Sequence, residues 1–283
     1  MARLVLDFLG GFQVVLDGHP VTEFKSNKVR ALLAYLAVEA DRPHRREALA
    51  GLLWPERSDR DALSNLRYTL ANLRRTLGDP SAATPFLLIT HDTIQFNPSS
   101  DHWLDVAELE RLIARARAQR PTGAAHLKTA VELYRGSFLE GFSAGDAAPF
   151  EEWVLLCNEQ IAQQVMSILS TLIAYFVAHN EHEAAQTYAR KQVALEPWNE
   201  EAHRTLMRAL AIHGQRNAAL HQFQTCCRIL REELGVEPSE ETTSLFEAIR
   251  SGRMTRGEQA PASSPQPSRM RFVADVYKRQ VHS

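Results

Sequence analysis

The sequence contains little cysteine, little net charge and no long apolar run. Only three of its 283 residues are cysteine, Cys157, Cys226 and Cys227. An odd number with two adjacent members suits neither a disulfide framework nor a Cys-x-x-Cys metal site. The formal net charge of −2 gives the whole chain no basic field that would attract nucleic acid. The cysteine pattern favours a reducing cytoplasm. No uninterrupted apolar run approaches about 18 residues, so the sequence predicts no membrane span.

Motifs that would indicate catalysis are also missing. The sequence has no G-x-x-x-x-G-K-[S/T] phosphate loop, no G-x-S-x-G turn and no paired-carboxylate or Cys/His arrangement at catalytic spacing. His179 and His182 lie at a predicted helix–helix turn without a third ligand, which favours a surface turn over a metal site. We therefore expect no enzyme, no metal and no cofactor.

The first hundred residues combine short strands with three helices. Residues 3–9 and 12–17 alternate as strands around Gly10-Gly11, and residues 86–90 and 93–97 read as a hairpin. Ser26 and Ser58 are N-cap candidates for the first and third helices. The helices are predicted over 27–39, 45–53 and 60–77. This order of elements is typical of a winged helix-turn-helix domain with an additional N-terminal sheet.

From about Trp103 the pattern is almost wholly helical. Helices are predicted over 104–118, 123–134, 149–178, 181–195, 199–213, 216–233 and 239–251. Similar residues recur 34 positions apart, which is the tetratricopeptide (TPR) period; the pairs are His179/His213, Ala184/Ala218, Ala185/Ala219 and Leu195/Ile229. Such helical pairs either only support the rest of the fold or bind a peptide or dimer partner, and the sequence leaves both open.

The predicted fold is therefore mainly α, in two domains. Residues 1–98 form a winged helix-turn-helix with a small sheet and a C-terminal wing hairpin, and residues 103–252 form an all-α, TPR-like domain. Residues 253–283 contain a stretch rich in Pro, Ser and Gln that predicts a disordered linker. That tail is either the truncated start of a further segment or not native sequence.

The third helix carries the candidate DNA-binding residues. Leucines at 63, 66, 70, 73 and 77 form one stripe that packs on the domain, and residues 57–75 hold five arginines against two aspartates. Arginine can pair with guanine and asparagine with adenine, while hydroxyls bind bases or phosphates. The candidates are Arg57, Arg60, Ser64, Asn65, Arg67, Tyr68, Asn72 and Arg75, with Arg74 nearer the apolar edge and directed at a phosphate.

Two alternatives weigh against this interpretation. An amphipathic helix can present such a face to solvent without binding anything, but the preceding short helix and the following hairpin favour DNA binding. The wing tip, His91-Asp92, has no permanent positive charge, and Asp92 would repel a phosphate. Either the wing lies above the minor groove without inserting, or Thr90 and Thr93 make the contacts.

Several stretches resemble the bacterial regulators called Streptomyces antibiotic regulatory proteins, or SARPs. In the first domain they are residues 28–36 (KVRALLAYL), 52–55 (LLWP) and 62–78, which includes NLRRTLG at 72–78. In the second they are residues 136–142 (GSFLEGF), 151–153 (EEW) and 231–238 (REELGVEP). The resemblance covers about residues 3–250. It implies an OmpR-type winged helix followed by a bacterial transcriptional activation domain.

The resemblance also implies a function. SARPs are transcription factors that bind promoter direct repeats as dimers or in cooperative tandem, and they activate by contacting RNA polymerase. Carried over by position, the implied DNA contacts are Arg67, Tyr68, Asn72, Arg74 and Arg75. The chain departs from related winged helices at Ala71-Asn72, where arginines are frequent, and at the acidic wing tip. Both departures predict modest affinity per monomer and a greater need for cooperative binding.

We accordingly expect a cytoplasmic bacterial activator with double-stranded DNA and RNA polymerase as partners, without a membrane, and associated with the nucleoid when bound. The rival interpretation is a helical-repeat adaptor whose winged helix contacts protein instead of DNA. The near-neutral net charge and the acidic wing favour that rival, and retention on heparin or nonspecific DNA at low salt would distinguish the two.

Overall fold

The computed structural model describes residues 3–79, 84–119 and 123–253. These residues divide into two compact units. The first contains residues 3–119 and 132–161, and the second contains residues 123–131 and 162–253. Apart from Arg253, the predicted tail at 253–283 lies outside the described residues. The predicted DNA-binding domain ended at residue 98, whereas the first unit also takes in two segments beyond residue 103.

The order of elements follows the prediction. The strands are β1 (Leu4–Asp7), β2 (Gln13–Leu16), β3 (His19–Pro20), β4 (His44–Arg45), β5 (Leu87–Ile89), β6 (Thr93–Phe96) and β7 (His102–Leu104). The helices are α1 (Asn27–Val38), α2 (Arg46–Leu53), α3 (Asp59–Thr76), α4 (Asp105–Ala118), α5 (Ala124–Leu133), α6 (Ala148–Ala178), α7 (His182–Leu195), α8 (Glu200–Ile212), α9 (Arg216–Ile229) and α10 (Glu240–Arg250). A π-helical turn, Leu230–Leu234, follows α9. The ten helices confirm the mainly α prediction.

Two small sheets frame helices α1–α3. The first has the order β3–β2–β1–β7, with β7 parallel to β1 and the other pairs antiparallel. The second has the order β4–β6–β5 and contains the predicted wing hairpin. Strands β3, β4 and β7 were not predicted, because strands of two or three residues are too short to show alternation. They form because a neighbouring strand offers unpaired backbone groups.

Segments from the helical half complete the core of the first unit. The stretch 136–142 adds an isolated bridge between Leu9 and Phe138, and the amide of Leu139 donates to the carbonyl of Phe8 at 2.8 Å. Aromatic rings from both parts of the chain then pack together; the ring contacts are Phe8–Phe138, Phe12–Phe142, Tyr35–Trp153 and Phe138–Trp153. Stretches 136–142 and 151–153 therefore help to form the core around the winged helix.

A buried carboxylate fixes the same junction. Asp105, fully buried at the start of α4, accepts hydrogen bonds from the amides of Phe8 and Leu9 at 2.8 and 2.7 Å. Its Oδ2 also lies 3.3 Å from Nη2 of Arg135, which contacts Asp7 at 2.5 Å. These bonds satisfy the two backbone amides that directly follow β1.

The second unit contains the predicted repeat. Helices α7 and α9 begin and end 34 residues apart, and α8 packs against both. Ala185 and Ala219, which occupy equivalent positions, are both buried. Small residues at these positions allow the helices to approach closely. In α7, Gln192 donates to Oγ of Ser170 at 2.7 Å, which joins this helix to the second half of α6.

Helix α6 bears on the expectation that the chain has no membrane span. Among the described residues it is the one helix long and apolar enough to cross a membrane, although no such segment was expected. The expectation rested on uninterrupted apolar runs, whereas the apolar residues of α6 are interrupted by short polar groups such as residues 158–160. Residues such as Phe150, Leu169 and Phe176 are buried at helical intervals along it. The helix thus contributes to protein cores along its length.

Candidate nucleic-acid interface

Helix α3 forms because its sequence supplies a start signal, an apolar stripe and a stop signal. Ser58 takes the N-cap position, accepts from the Asp61 amide at 3.3 Å and donates to the Asp61 carboxylate at 2.8 Å. This confirms the predicted capping pair. Gly78 ends the helical stretch with φ +64°, a left-handed conformation that glycine adopts at little cost. The leucines at 66, 70, 73 and 77 are buried and Leu63 is half-buried.

The buried side of α3 is wider than this leucine stripe. It also includes Ala62, Thr69 and Asn72, because both α1 and α2 pack against the helix. The expectation that Asn72 faces outward is therefore wrong. Asn72 is only 4% exposed, and its Nδ2 donates to the carbonyl of Tyr68 at 2.9 Å. An amide held in this way does not reach a base edge, so Asn72 is removed from the candidate contacts.

The outward side of α3 presents two rows of side chains. One row is Arg60, Ser64 and Tyr68, and the other is Arg67, Ala71 and Arg75, each at i, i+4 and i+8 on the helix. All six are exposed, and Tyr68 is 64% exposed. Asn65 is half-buried at the edge of this face. We call these six residues the outer face of α3.

Four arginines here have positive charges available to a ligand. Among the described residues, no carboxylate lies within 4.0 Å of the guanidinium groups of Arg57, Arg60, Arg67 and Arg75. Arg57 is exposed in the turn before α3, and the other three lie on the outer face. A cluster of exposed arginines without internal ion pairs is typical of a surface that binds phosphate.

Arg74 differs from these four. Its Nε lies 3.8 Å from Oδ2 of the buried Asp79, whose Oδ1 accepts from the amide of Phe86 at 2.5 Å. The side chain of Arg74 is 43% exposed. Arg74 therefore contacts the segment that leads into the wing, which gives it a structural role in addition to any phosphate contact.

Hydrogen bonds hold the wing tip closed. The hydroxyls of Thr90 and Thr93 lie 2.8 Å apart, and Oγ1 of Thr90 also accepts from the amide of Thr93 at 2.9 Å. Both threonines were predicted to contact DNA, and their hydroxyls already shape the turn. His91 and Asp92 are exposed at the tip, with Nδ1 and Oδ1 2.6 Å apart.

Two arginines beside the wing were not among the predicted contacts. Arg45 is exposed on β4, directly opposite Thr93 of β6. Arg46 donates from Nη2 to the carbonyl of Thr90 at 2.9 Å and from its amide to the carbonyl of Asp92 at 3.0 Å. The pair Arg45-Arg46 was visible in the sequence, but its position depends on the unpredicted strand β4. Arg45 supplies positive charge that the acidic wing tip lacks.

Three acids of the first unit have raised pKa values, the buried Glu39 and Asp105 and the half-buried Glu110. Glu39, at the end of α1, is 4% exposed and accepts from Nε1 of Trp153 at 3.0 Å. Burial raises its pKa. Burial, together with the nearby charge of Glu39, raises the pKa of Glu110 on α4 to about 7. Burial also raises the pKa of Asp105 to about 6, although three backbone amides donate to it and act in the opposite direction.

Other candidate groups stay outside this site. Cys157 and Cys226 are buried and Cys227 is half-buried. Asn180 forms the turn between His179 and His182 with φ +58°. In the part of the chain that the structure describes, no three His, Cys, Asp or Glu side chains are placed to hold a metal ion.

Comparison with known proteins identifies the family. Residues 104–250 match the family described as Bacterial transcriptional activator domain, which is more than half of the chain. The chain belongs to this family. Together with the relatives described next, the match makes it a SARP-type transcriptional regulator, as the sequence resemblance predicted.

Its relatives are regulatory proteins. The chain is 24% identical over 244 residues to the transcriptional regulatory protein MoaR1 of Mycobacterium tuberculosis, covering 81% of this chain and 76% of MoaR1. It is 26% identical over 257 residues to EmbR of the same species, covering 87% and 63%. It is also 26% identical over 235 residues to the regulatory protein AfsR of Streptomyces coelicolor, covering 81% and 22%. The chain thus spans less than two thirds of EmbR and about a fifth of AfsR.

A solved structure shares the fold. Mycobacterium tuberculosis EmbR, in complex with a low-affinity phosphopeptide, superimposes with a TM-score of 0.66 at 23% sequence identity. The match covers 89% of this chain and 66% of that one. It supports a winged helix followed by a helical, TPR-like domain.

Proposed function

We propose that this SARP-type regulator binds specific DNA sequences through the outer face of α3 and activates transcription. The observation that carries the proposal is the set of exposed arginines without internal ion pairs at Arg57, Arg60, Arg67 and Arg75. Guanidinium groups bind phosphates along the groove and guanine edges within it. Ser64 and Tyr68 add neutral hydrogen-bonding groups to the same face.

The acidic wing tip suggests how the domain meets the duplex. Asp92 is exposed, so a deeply inserted wing would bring a carboxylate close to phosphates. Arg45, on the neighbouring strand, is better placed to bind the backbone beside the wing. We therefore propose that the wing lies over the minor groove and that Arg45 makes its phosphate contact.

We further propose separate roles for two parts of the chain. Residues 1–98 bind DNA and residues 103–252 mediate dimerisation or tandem binding and contact RNA polymerase, in a bacterial cytoplasm. Few phosphate contacts per monomer predict modest affinity, so cooperative binding to promoter direct repeats would provide the remainder. MoaR1, EmbR and AfsR, which are regulatory proteins, support the regulatory part of this proposal.

The decisive experiment is selection of genomic fragments by the purified full chain, followed by footprinting at two salt concentrations. We expect enrichment of a direct repeat and binding that falls steeply with salt. A folded protein that enriches no DNA would exclude the proposal.

The adaptor remains the second candidate because of the net charge of −2 and the exposed Asp92. In that case the winged helix would contact a protein partner and would not bind a polyanion. Heparin retains a DNA-binding form at low salt, whereas an adaptor would elute with the void. The same column run with an Arg67→Ala, Arg75→Ala double variant shows whether the outer face is responsible.

A further inference from the structure

Lys28, on the first turn of α1, joins two parts of the first unit. Its Nζ donates to the carbonyl of Leu53 at 2.7 Å and to the carbonyl of Asp146 at 3.0 Å. Leu53 is the last residue of α2, and Asp146 lies in the loop that precedes α6. One ammonium group thus spans residues that are more than 90 positions apart in the sequence.

The Leu53 carbonyl is one that the helix cannot satisfy itself. The last four carbonyls of a helix have no intrahelical partner, and a positive charge there also interacts favourably with the helix dipole. In α2 the amide of Trp54 serves the Ala50 carbonyl at 2.8 Å, and Lys28 serves Leu53. The five residues that follow, 54–58, lead directly to the N-cap of α3.

The loop on the other side is itself well fixed. Oε1 of Glu151, in the first turn of α6, accepts from Oγ of Ser143 at 2.9 Å and from the amide of Ala144 at 2.8 Å. The neighbouring Asn27 donates from Nδ2 to the carbonyl of Ser143 at 2.8 Å. Two successive residues of α1 therefore hold residues 143–146, while Lys28 alone also reaches α2.

The partial burial of Lys28 distinguishes it from a lysine that serves only solubility. Lys28 is half-buried, and burial lowers the pKa of its ammonium group while the charges of Asp146 and Glu151 act in the opposite direction. A lysine placed there only for solubility would extend into water and keep its rotamer entropy. Its neighbour in sequence, Lys25, is exposed and does so.

From this geometry we infer that Lys28 is a positioning residue: it ties the end of α2 to the 143–146 loop and thereby fixes the angle at which α3 meets DNA. The effect on DNA binding rests on the proposed function, but the contact of Lys28 with α2 and the 143–146 loop does not. The 143–146 loop, a segment of the activator-domain family, then helps to orient α3.

The first test is hydrogen exchange on the full-length chain without DNA, for the parent, Lys28→Met, Lys28→Arg and the control Lys25→Met. Lys28→Met keeps the apolar stem and removes the ammonium group. We expect amide exchange to accelerate about tenfold both in residues 54–57 and in residues 144–151, since one charge-assisted hydrogen bond is lost at each end. Lys28→Arg should restore part of the protection, and Lys25→Met should match the parent. Unchanged exchange, or a change in one segment only, would overturn the inference.

The second test is DNA binding by the same four proteins at several salt concentrations, on the selected site and on nonspecific DNA. A positioning residue predicts about tenfold weaker binding of Lys28→Met to the selected site, with unchanged nonspecific affinity and salt slope. If Lys28 contacted a phosphate directly, Lys28→Met would instead weaken binding to both the selected site and nonspecific DNA and would reduce the salt slope by about 0.9. That result would contradict the inference. If the parent selects no DNA, the proposed function fails, and the exchange experiment alone decides whether Lys28 makes the tie.

Discussion

Replacing Asp105 with alanine should destabilise the first unit more than any surface change in the chain. The Asp105 carboxylate is fully buried and accepts from the amides of Phe8 and Leu9, which are almost a hundred residues away in sequence. Alanine leaves both donors buried without a partner. Each unsatisfied amide costs about 1–3 kcal/mol, so we expect a loss of about 3–5 kcal/mol in the free energy of unfolding.

The neighbouring Arg135 limits the loss of stability on substitution of Asp105. Its guanidinium keeps its contact with Asp7, so the substitution does not leave a buried cation alone. Asp105→Asn retains one acceptor oxygen but places an NH₂ group against the remaining donors. We expect that variant to lose about 1–3 kcal/mol, between the parent and Asp105→Ala.

Urea unfolding followed by tryptophan fluorescence is the appropriate assay. Three of the four tryptophans, Trp54, Trp103 and Trp153, belong to the first unit, so their emission reports mainly on that unit. The matched control is Asp101→Ala, an exposed aspartate four residues earlier. If Asp105→Ala and Asp101→Ala unfold within about 0.5 kcal/mol of each other, the carboxylate does not hold the end of β1 as argued here.

Three further predictions concern other parts of the first unit. Arg67→Ala and Arg75→Ala should each lower the slope of log affinity against log salt by about 0.9 on any DNA sequence. The control Arg117→Ala, at an exposed position on α4, should leave the slope unchanged. Equal slopes for all three variants would show that α3 does not contact DNA. Asn72→Ala should lower the free energy of unfolding by about 1–2 kcal/mol without changing which bases the protein prefers. A urea titration measures the first quantity and a binding-site selection the second. A relaxed preference at one base position would show that Asn72 does contact a base. For Glu110, the pKa in the folded protein, about 7, exceeds its ordinary value of 4.5, so the native state holds the proton more tightly. Its stabilising contribution is then present below about pH 4.5 and lost as the pH rises through 7, by up to about 3 kcal/mol. Glu110→Gln should flatten that fall in unfolding titrations between pH 5 and 8, and an unaltered profile would exclude Glu110 as its source.

The helices could be predicted because their signals are local. Ser58 and Asp61 mark the start of α3, Gly78 marks its end, and the leucines between them show a helical period. The 34-residue repeat placed α7 and α9 for the same reason. Caps, periods and turns depend on residues within one or two helical turns, so a single sequence contains them.

The details of the interface depended on packing that the sequence does not display. An isolated α3 would present Asn72 to solvent, since it lies well away from the leucine stripe. Its burial follows from the packing of α1 and α2 on that side. Arg45 was overlooked because β4 exists only through its pairing with β6. Arg74 was assigned to a phosphate because its buried partner, Asp79, appeared only as part of a helix stop.

The junction at residue 105 shows why domain boundaries read from motifs differ from physical ones. The family match begins at residue 104, yet the residues after it satisfy the backbone of β1, receive the rings of Phe8 and Phe12, and support α2 through Lys28. A winged helix cut at residue 98 would expose that aromatic surface and leave the amides of Phe8 and Leu9 without their acceptor. Since buried apolar area and satisfied amides stabilise the fold together, we expect the smallest folded unit that presents the outer face of α3 to include residues 105–119 and 132–161. A change in the 143–151 segment should then also affect the start of α3, because Lys28 contacts both Asp146 and the end of α2.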